Sequence, residues 1–153
     1  MRLLPLWLHV LSAAVWLGGL LFQSHILFPL LAKGGPAEVI AQAVRRFRRV
    51  AWVALTLLVL TGLHNLTLLP PVAAMIESGL VKLLALKLFV VVVLLMLSAH
   101  RDFGVAARLI RAVAAGQDPR MALRAIIRID RVVLVLGVGL VYLGLVLSRG
   151  GIY

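Results

Sequence analysis

Residues 3–32 read LLPLWLHVLSAAVWLGGLLFQSHILFPLLA, 30 positions without a formal charge. About 20 helical residues cross the hydrocarbon core of a bilayer, so this stretch spans it with length to spare. A cleaved secretory leader is the rival reading. The apolar run is about twice the length of an ordinary leader core, and no polar cleavage region follows it. The stretch therefore reads as a transmembrane helix.

The rest of the chain repeats the pattern. Of its 153 residues 63% are hydrophobic and 14% charged, with a mean hydropathy of +1.13. A soluble domain is nearer 45–50% apolar and about 25% charged, so a soluble globular protein, a disordered tail and a coiled coil are all excluded. Backbone polar groups have no partner in lipid, so the spans are helices, and the roughly 10-residue alternation of a membrane barrel is absent. The expected fold is an all-α integral membrane four-helix bundle, one domain over 1–153, with spans at about 4–31, 50–69, 80–100 and 131–148. Pro70-Pro71 stops the second span and Arg149-Gly150-Gly151 ends the fourth.

The charges set the topology. Net charge is +11, and 12 of the 16 basic residues fall in the segments 33–49 and 100–131. On a soluble chain such a balance suggests nucleic acid. Here the basic residues stand between apolar runs, so the partner is a lipid bilayer and not nucleic acid. The positive-inside rule puts both basic loops in the cytoplasm and both termini outside, as in a multi-pass protein of a bacterial-type cytoplasmic membrane. Pro36 after Gly34-Gly35 suits a first helical position. Asp118-Pro119 reads as an N-cap and first turn. The third helix runs past His100 to about Ala115, before Gly116. The outcome is two long helical hairpins. Gly137, Gly139 and Gly144 permit close packing of a neighbouring helix, from the same chain or from a second copy in a homo-oligomer.

Polar groups inside the spans carry the functional signal, because each is costly in lipid. His9, Ser12, Trp16, Gly19 and Gln23 recur at spacings of 3 and 4 and form one stripe facing the bundle interior. The second helix carries Thr61, His64 and Asn65 near its outer end, and the third carries Lys82 and Lys87. By depth, His9, His64 and Lys87 form an outer layer, and His25 and His100 an inner one. Paired imidazoles on separate helices are the layout of a transmembrane haem protein. The inner pair is the weaker: His9 and His25 are 16 residues apart, so they point roughly 160° apart on a straight helix. No Asp or Glu is expected inside a span, which leaves Lys87 without a protein counter-ion. Enzyme motifs such as a phosphate loop, GxSxG, HExxH or paired carboxylates are absent. With no cysteine, a copper site would lean on histidine.

Three pieces of the chain resemble the CopD family of bacterial copper-resistance membrane proteins. Leu8-His9-Val10 with Trp16-Leu17-Gly18-Gly19-Leu20 resembles its first helix. Arg46-Phe47-Arg48-Arg49-Val50-Ala51 with Leu60-Thr61-Gly62 resembles its second, and Leu84-Ala85-Leu86-Lys87-Leu88 its third. The same features resemble HemJ, a four-helix protoporphyrinogen oxidase with a first-helix histidine and a third-helix lysine near haem b. His9 and Lys87 are the matching positions. HemJ proteins carry an arginine after the proline that follows the first-helix motif, whereas Leu30 follows Phe28-Pro29 here. The lead expectation is thus a haem b protein acting in electron transfer or redox chemistry, possessing a redox partner protein. His9 would be an axial ligand with His64 or Lys87 opposite, and Trp16, Gly19 and Thr61 would line the pocket. The alternatives are copper binding or transport through His9, His64 and Met75, a HemJ-like oxidoreductase, and a structural subunit with no cofactor.

Overall fold

A computed structural model describes residues 3–69, 72–77 and 79–148. Four long helices dominate it: α1 (Leu3–Ala32), α2 (Ala37–Leu66), α3 (Leu80–Ala114) and α4 (Arg120–Ser148). Each is long and apolar enough to cross a membrane. A short helix, Val72–Glu77, precedes α3. There is no strand among the described residues.

The breaks follow local chemistry. Gly35 donates its N–H to the Leu31 carbonyl at 2.7 Å, and a Cβ there would lie 2.9 Å from Leu31 backbone atoms, so only glycine closes this turn. Pro36 follows with ψ 138° and caps α2 from outside, one residue earlier than a first helical position. Gly116 adopts φ 68°. Its N–H reaches Val113 O, and the N–H of Gln117 reaches Ala112 O. These two bonds are a Schellman ending. Asp118 then accepts the Arg120 N–H at 3.0 Å, while Pro119, whose carbonyl takes the Leu123 N–H at 2.9 Å, is the last residue before α4 and, like Pro36, stands one residue earlier than expected. α2 ends at Leu66, where the Thr67 hydroxyl donates to the His64 carbonyl at 2.7 Å. The Pro70-Pro71 and Arg149–Gly151 breaks lie outside the described residues.

Two features had no expectation behind them. α1 is interrupted by a π-helical segment at Gln23–Leu27, and α3 by another at His100–Val105. One-turn π segments are rare and concentrate at functional sites.

Helices α1 and α2 run antiparallel, with Gly19 against Phe47 and His9 against Thr61. Helices α3 and α4 do the same, with Lys87 beside Gly144 and Arg101 on Asp130. The hairpins join along α1 and α4, where Leu17 and Trp16 meet Gly137. The interior stripe on α1 is as expected: Ser12, Trp16 and Gln23 are all buried. One apolar core fills the arginine-rich end with Phe28, Ile40, Val44, Val105, Leu109 and Leu123. A second, around Trp16, Leu55, Leu94 and Val133, fills the middle. Large apolar side chains such as Leu4, Val53, Phe89 and Val135 face outward, which only a lipid surround makes favourable.

A Cβ on Gly19 would stand 2.5 Å from the Phe47 ring. Gly19→Val is expected to cost about 1–3 kcal/mol through overpacking. A thermal melt in detergent checks this, with Gly18→Val, which meets open space, as the neutral control.

Candidate functional site

Near the end of the bundle that holds the N-terminus of α1, the His9 imidazole meets α2, with Lys87 of α3 near it and Gly144 of α4 against Lys87. His9 is half-buried on α1, and its Nδ1 lies 2.8 Å from Thr61 Oγ1 on α2. The Thr61 hydroxyl has one proton, and that proton goes to the Leu57 carbonyl at 2.6 Å. Thr61 therefore accepts from His9, which assigns the ring proton to Nδ1 and makes Nε2 the unprotonated nitrogen. This is how a second group orients a metal-binding histidine. The Leu58 carbonyl also lies beside the ring. Gly62 keeps the space beside the ring clear, since a Cβ there would be 3.4 Å from His9 Cε1. The Lys87 ammonium from α3 acts electrostatically on the ring. It lies 3.5 Å from where a Cβ on Gly144 of α4 would stand. Lys87 has no hydrogen-bond acceptor or counter-ion among the described residues.

The other expected site residues are distributed differently. Trp16 and Gly19 sit deeper in the bundle, in the middle core and against Phe47. His64 is exposed one turn beyond Thr61. His25 is exposed, with its Nδ1 on the Ser24 hydroxyl at 2.8 Å. His100 is exposed and its ring lies against Gly104. Thr61 and His64 are three residues apart and lie on neighbouring parts of one helix side, but His64 falls in the last turn of α2 and is exposed. His9 is thus paired with a hydroxyl and not with a second imidazole. No group of three His, Cys, Asp or Glu suited to a metal occurs among the described residues.

A second polar cluster lies below, toward the arginine-rich end. Arg101, Asp102, Asp130 and Gln23 are each no more than 3% exposed. Arg101 donates from Nε to Asp130 Oδ1 at 2.9 Å and from Nη2 to Asp130 Oδ2 at 3.1 Å. Its Nη2 also reaches Gln23 Oε1 at 2.9 Å, and its Nη1 pairs with Asp102 Oδ1. Trp52 of α2 donates its indole N–H to Asp102 Oδ2 at 2.8 Å. The guanidinium stacks over Phe47, 5.4 Å from the ring centroid. Both π-helical segments feed this cluster, one with Gln23 and the other with Arg101 and Asp102.

Asp102 and Asp130 stand just beyond the expected spans of 80–100 and 131–148, yet inside the helices Leu80–Ala114 and Arg120–Ser148 and buried. Asp130 and Asp102 sit in a charge-rich stretch that resembles a cytoplasmic loop when charges are counted. Periodicity was the usable signal. Asp130 continues the α4 stripe of Leu123, Ile126, Val133 and Gly137, and Arg101 and Asp102 continue the α3 stripe of Leu94, Ser98, Val105 and Leu109.

Two cavities bear on cofactors. One of about 10 Å³ is lined by Trp16, Phe47, Ser98, Arg101, Asp102 and Asp130 among others, which is room for a single water. The other, about 180 Å³, is an apolar groove between Trp52, Leu55, Thr56, Val59 and Leu60 of α2 and Leu95 of α3. Cofactor sites begin at about 300 Å³. Neither cavity touches His9, so neither fits a porphyrin held by that imidazole.

The family model for CopD, copper resistance protein D, matches residues 41–147. The chain belongs to the CopD family. That match begins inside α2, so it covers Thr61, His64, Lys87, Arg101, Asp102 and Asp130, while His9, Trp16, Gly19 and Gln23 lie before it. No curated protein and no solved structure gives a match. Membership of CopD and four apolar helices of spanning length together make this a membrane protein.

Removing one partner of a buried ion pair typically costs 3–5 kcal/mol, because the other charge is stranded. Arg101→Ala strands two carboxylates, so it is expected to lower stability by at least about 3 kcal/mol. The detergent melting temperature and the yield of monodisperse protein report it.

Proposed function

We propose that this CopD-family protein handles copper at a membrane, the ion being its cargo and His9 Nε2 the donor it meets inside the bundle. The observation carrying this reading is the Thr61 hydroxyl on His9 Nδ1 at 2.8 Å, which leaves the other ring nitrogen unprotonated. Imidazole is a suitable copper donor, and without cysteine the remaining soft donor is methionine thioether. His64 and Met75 lie at the same end of the bundle as His9, on the last turn of α2 and on the short helix after it. Of the two, His64 is exposed and Met75 is buried, so His64 is the group an incoming copper ion would meet before His9. Lys87 sets the strength of the site. A cation bound at His9 is repelled by the ammonium near it, so the ion is held briefly and released, as passage requires.

A resident haem b is the reading this geometry favours less. Lys87 and His9 do come from separate helices to one place, in keeping with a HemJ-like relationship. The neighbouring helices are packed, however, and His64 is exposed.

The orientation belongs to the same proposal: arginine-rich turns in the cytoplasm, and the His9 end outside. The native chain has no cysteine, so single cysteines report sidedness cleanly. Gly34→Cys and Gln117→Cys are expected to react with an impermeant maleimide only in inverted vesicles, and Leu68→Cys only in intact cells. The opposite pattern inverts the topology.

Copper flux into proteoliposomes tests the cargo. His9→Ala is expected to abolish it, and Thr61→Ala to reduce it about 10-fold, the cost of losing a group that orients a metal ligand. His25→Ala and His100→Ala are expected to leave it unchanged. Undiminished flux in His9→Ala would refute the site. A Soret band in the protein as purified would favour haem instead.

A further inference from the structure

The buried cluster carries one charge too many. Arg101 contributes one positive charge, and Asp102 and Asp130 together contribute two negative ones, all almost wholly out of water. An uncompensated charge in such a place is not tolerated; it is neutralised by a proton or a counter-ion. The surroundings supply no second cation. α1 offers neutral Gln23 and Ser24, and α2 offers neutral Trp52 and Phe47. A further guanidinium, Arg131, is exposed and donates to the Ser24 carbonyl at 3.4 Å, with no bond to either carboxylate. His25 and His100 are close in sequence and exposed. The cavity beside the cluster, about 10 Å³, has room for a water and not for a hydrated metal ion.

A second observation points to a guest. Gln23 Nε2 is buried without a hydrogen-bond partner. Arg101 donates to Oε1 of the same amide, so the amide cannot be turned over to hide the fault. Its NH₂ is a fixed donor at the cluster awaiting an acceptor. The water-sized cavity lined by Ser98, Arg101, Asp102 and Asp130 lies against the same carboxylates.

We propose that this cluster is a proton-binding site: Asp102 and Asp130 share one proton at neutral pH and exchange it with internal water. The step is simple. A hydronium ion gives its proton to a carboxylate oxygen, leaving water and a carboxylic acid. The O–H bond formed balances the one broken, and nothing is oxidised or reduced. The two carboxylates bind the proton as a unit, because the excess charge belongs to the pair. Loss of either one leaves a neutral Arg–Asp pair that needs no proton. The inference stands independently of the copper reading.

Infrared spectroscopy of the full chain in lipid tests this directly. The chain has five acidic side chains; Glu38, Glu77 and Asp118 are exposed to bulk water, which leaves Asp102 and Asp130 as the buried ones. A carboxylic-acid C=O stretch at pH 7 that neither exposed groups nor the chain terminus explains must come from the cluster. It is expected in the wild type, to shift within minutes in D₂O, and to vanish in Asp102→Asn and equally in Asp130→Asn. Both variants are expected to fold, because each makes the cluster neutral without a proton. Should either fail to fold, the wild-type band and its D₂O shift still decide. Absence of the band, its survival in either variant, or a band that D₂O does not shift would overturn the proposal.

Discussion

Arg101 directs its guanidinium to acceptors on three helices at once. Asp130 belongs to α4, Gln23 to α1, and Asp102 to α3 itself, while Trp52 of α2 closes the ring through Asp102. A bidentate guanidinium has fixed geometry, so it sets register and not merely attraction. A slide of α4 by one residue would turn Asp130 away and bring a neighbouring residue to the fork. Apolar packing cannot set register this tightly between membrane helices, since lipid tails compete equally for every Leu and Val face. Buried ion pairs are weak contributors to net stability. Their contribution here is to specify one arrangement of two hairpins among the several that such similar helices permit.

The fixed register then positions the other end of the bundle. With Asp130 on Arg101, α4 presents Gly144 to Lys87. With Gln23 on Arg101, α1 presents Gly19 to Phe47 and, further along, His9 to Thr61. The imidazole is held by a hydroxyl whose own proton is committed to the backbone. A half-buried ring with one nitrogen tied and the other unprotonated, beside an unpaired ammonium, suits a cation that binds and leaves. The arginine-rich turns give the bundle polarity, and the sparse acidic residues leave the cluster as its one buried concentration of negative charge among the described residues.

Much of this was legible in the chain. Span count, hairpin breaks and the α1 stripe follow from apolar run length, Gly/Pro chemistry and 3.6-residue periodicity, and all are present. His9 and Lys87 stood out because lipid makes each polar residue conspicuous. Thr61 was visible as a polar residue on the right helix, but not as the partner of His9. Which of Thr61 and His64 faces α1 depends on the rotation of α2, which is tied to the distant cluster through the Trp52–Asp102 hydrogen bond. The buried cluster itself was hidden because Arg101, Asp102 and Asp130 stand among surface arginines, where counting charges overrides periodicity. The π-helical segments have no recognised sequence signature and surface only in three dimensions.

The account turns on copper meeting the unprotonated nitrogen of one imidazole, and X-ray absorption at the copper edge reads that contact directly. Protein loaded with one copper per chain is expected to show imidazole scattering in the wild type that is lost in His9→Ala and kept in His25→Ala. An identical spectrum in His9→Ala, or copper bound by oxygen donors alone, would contradict it.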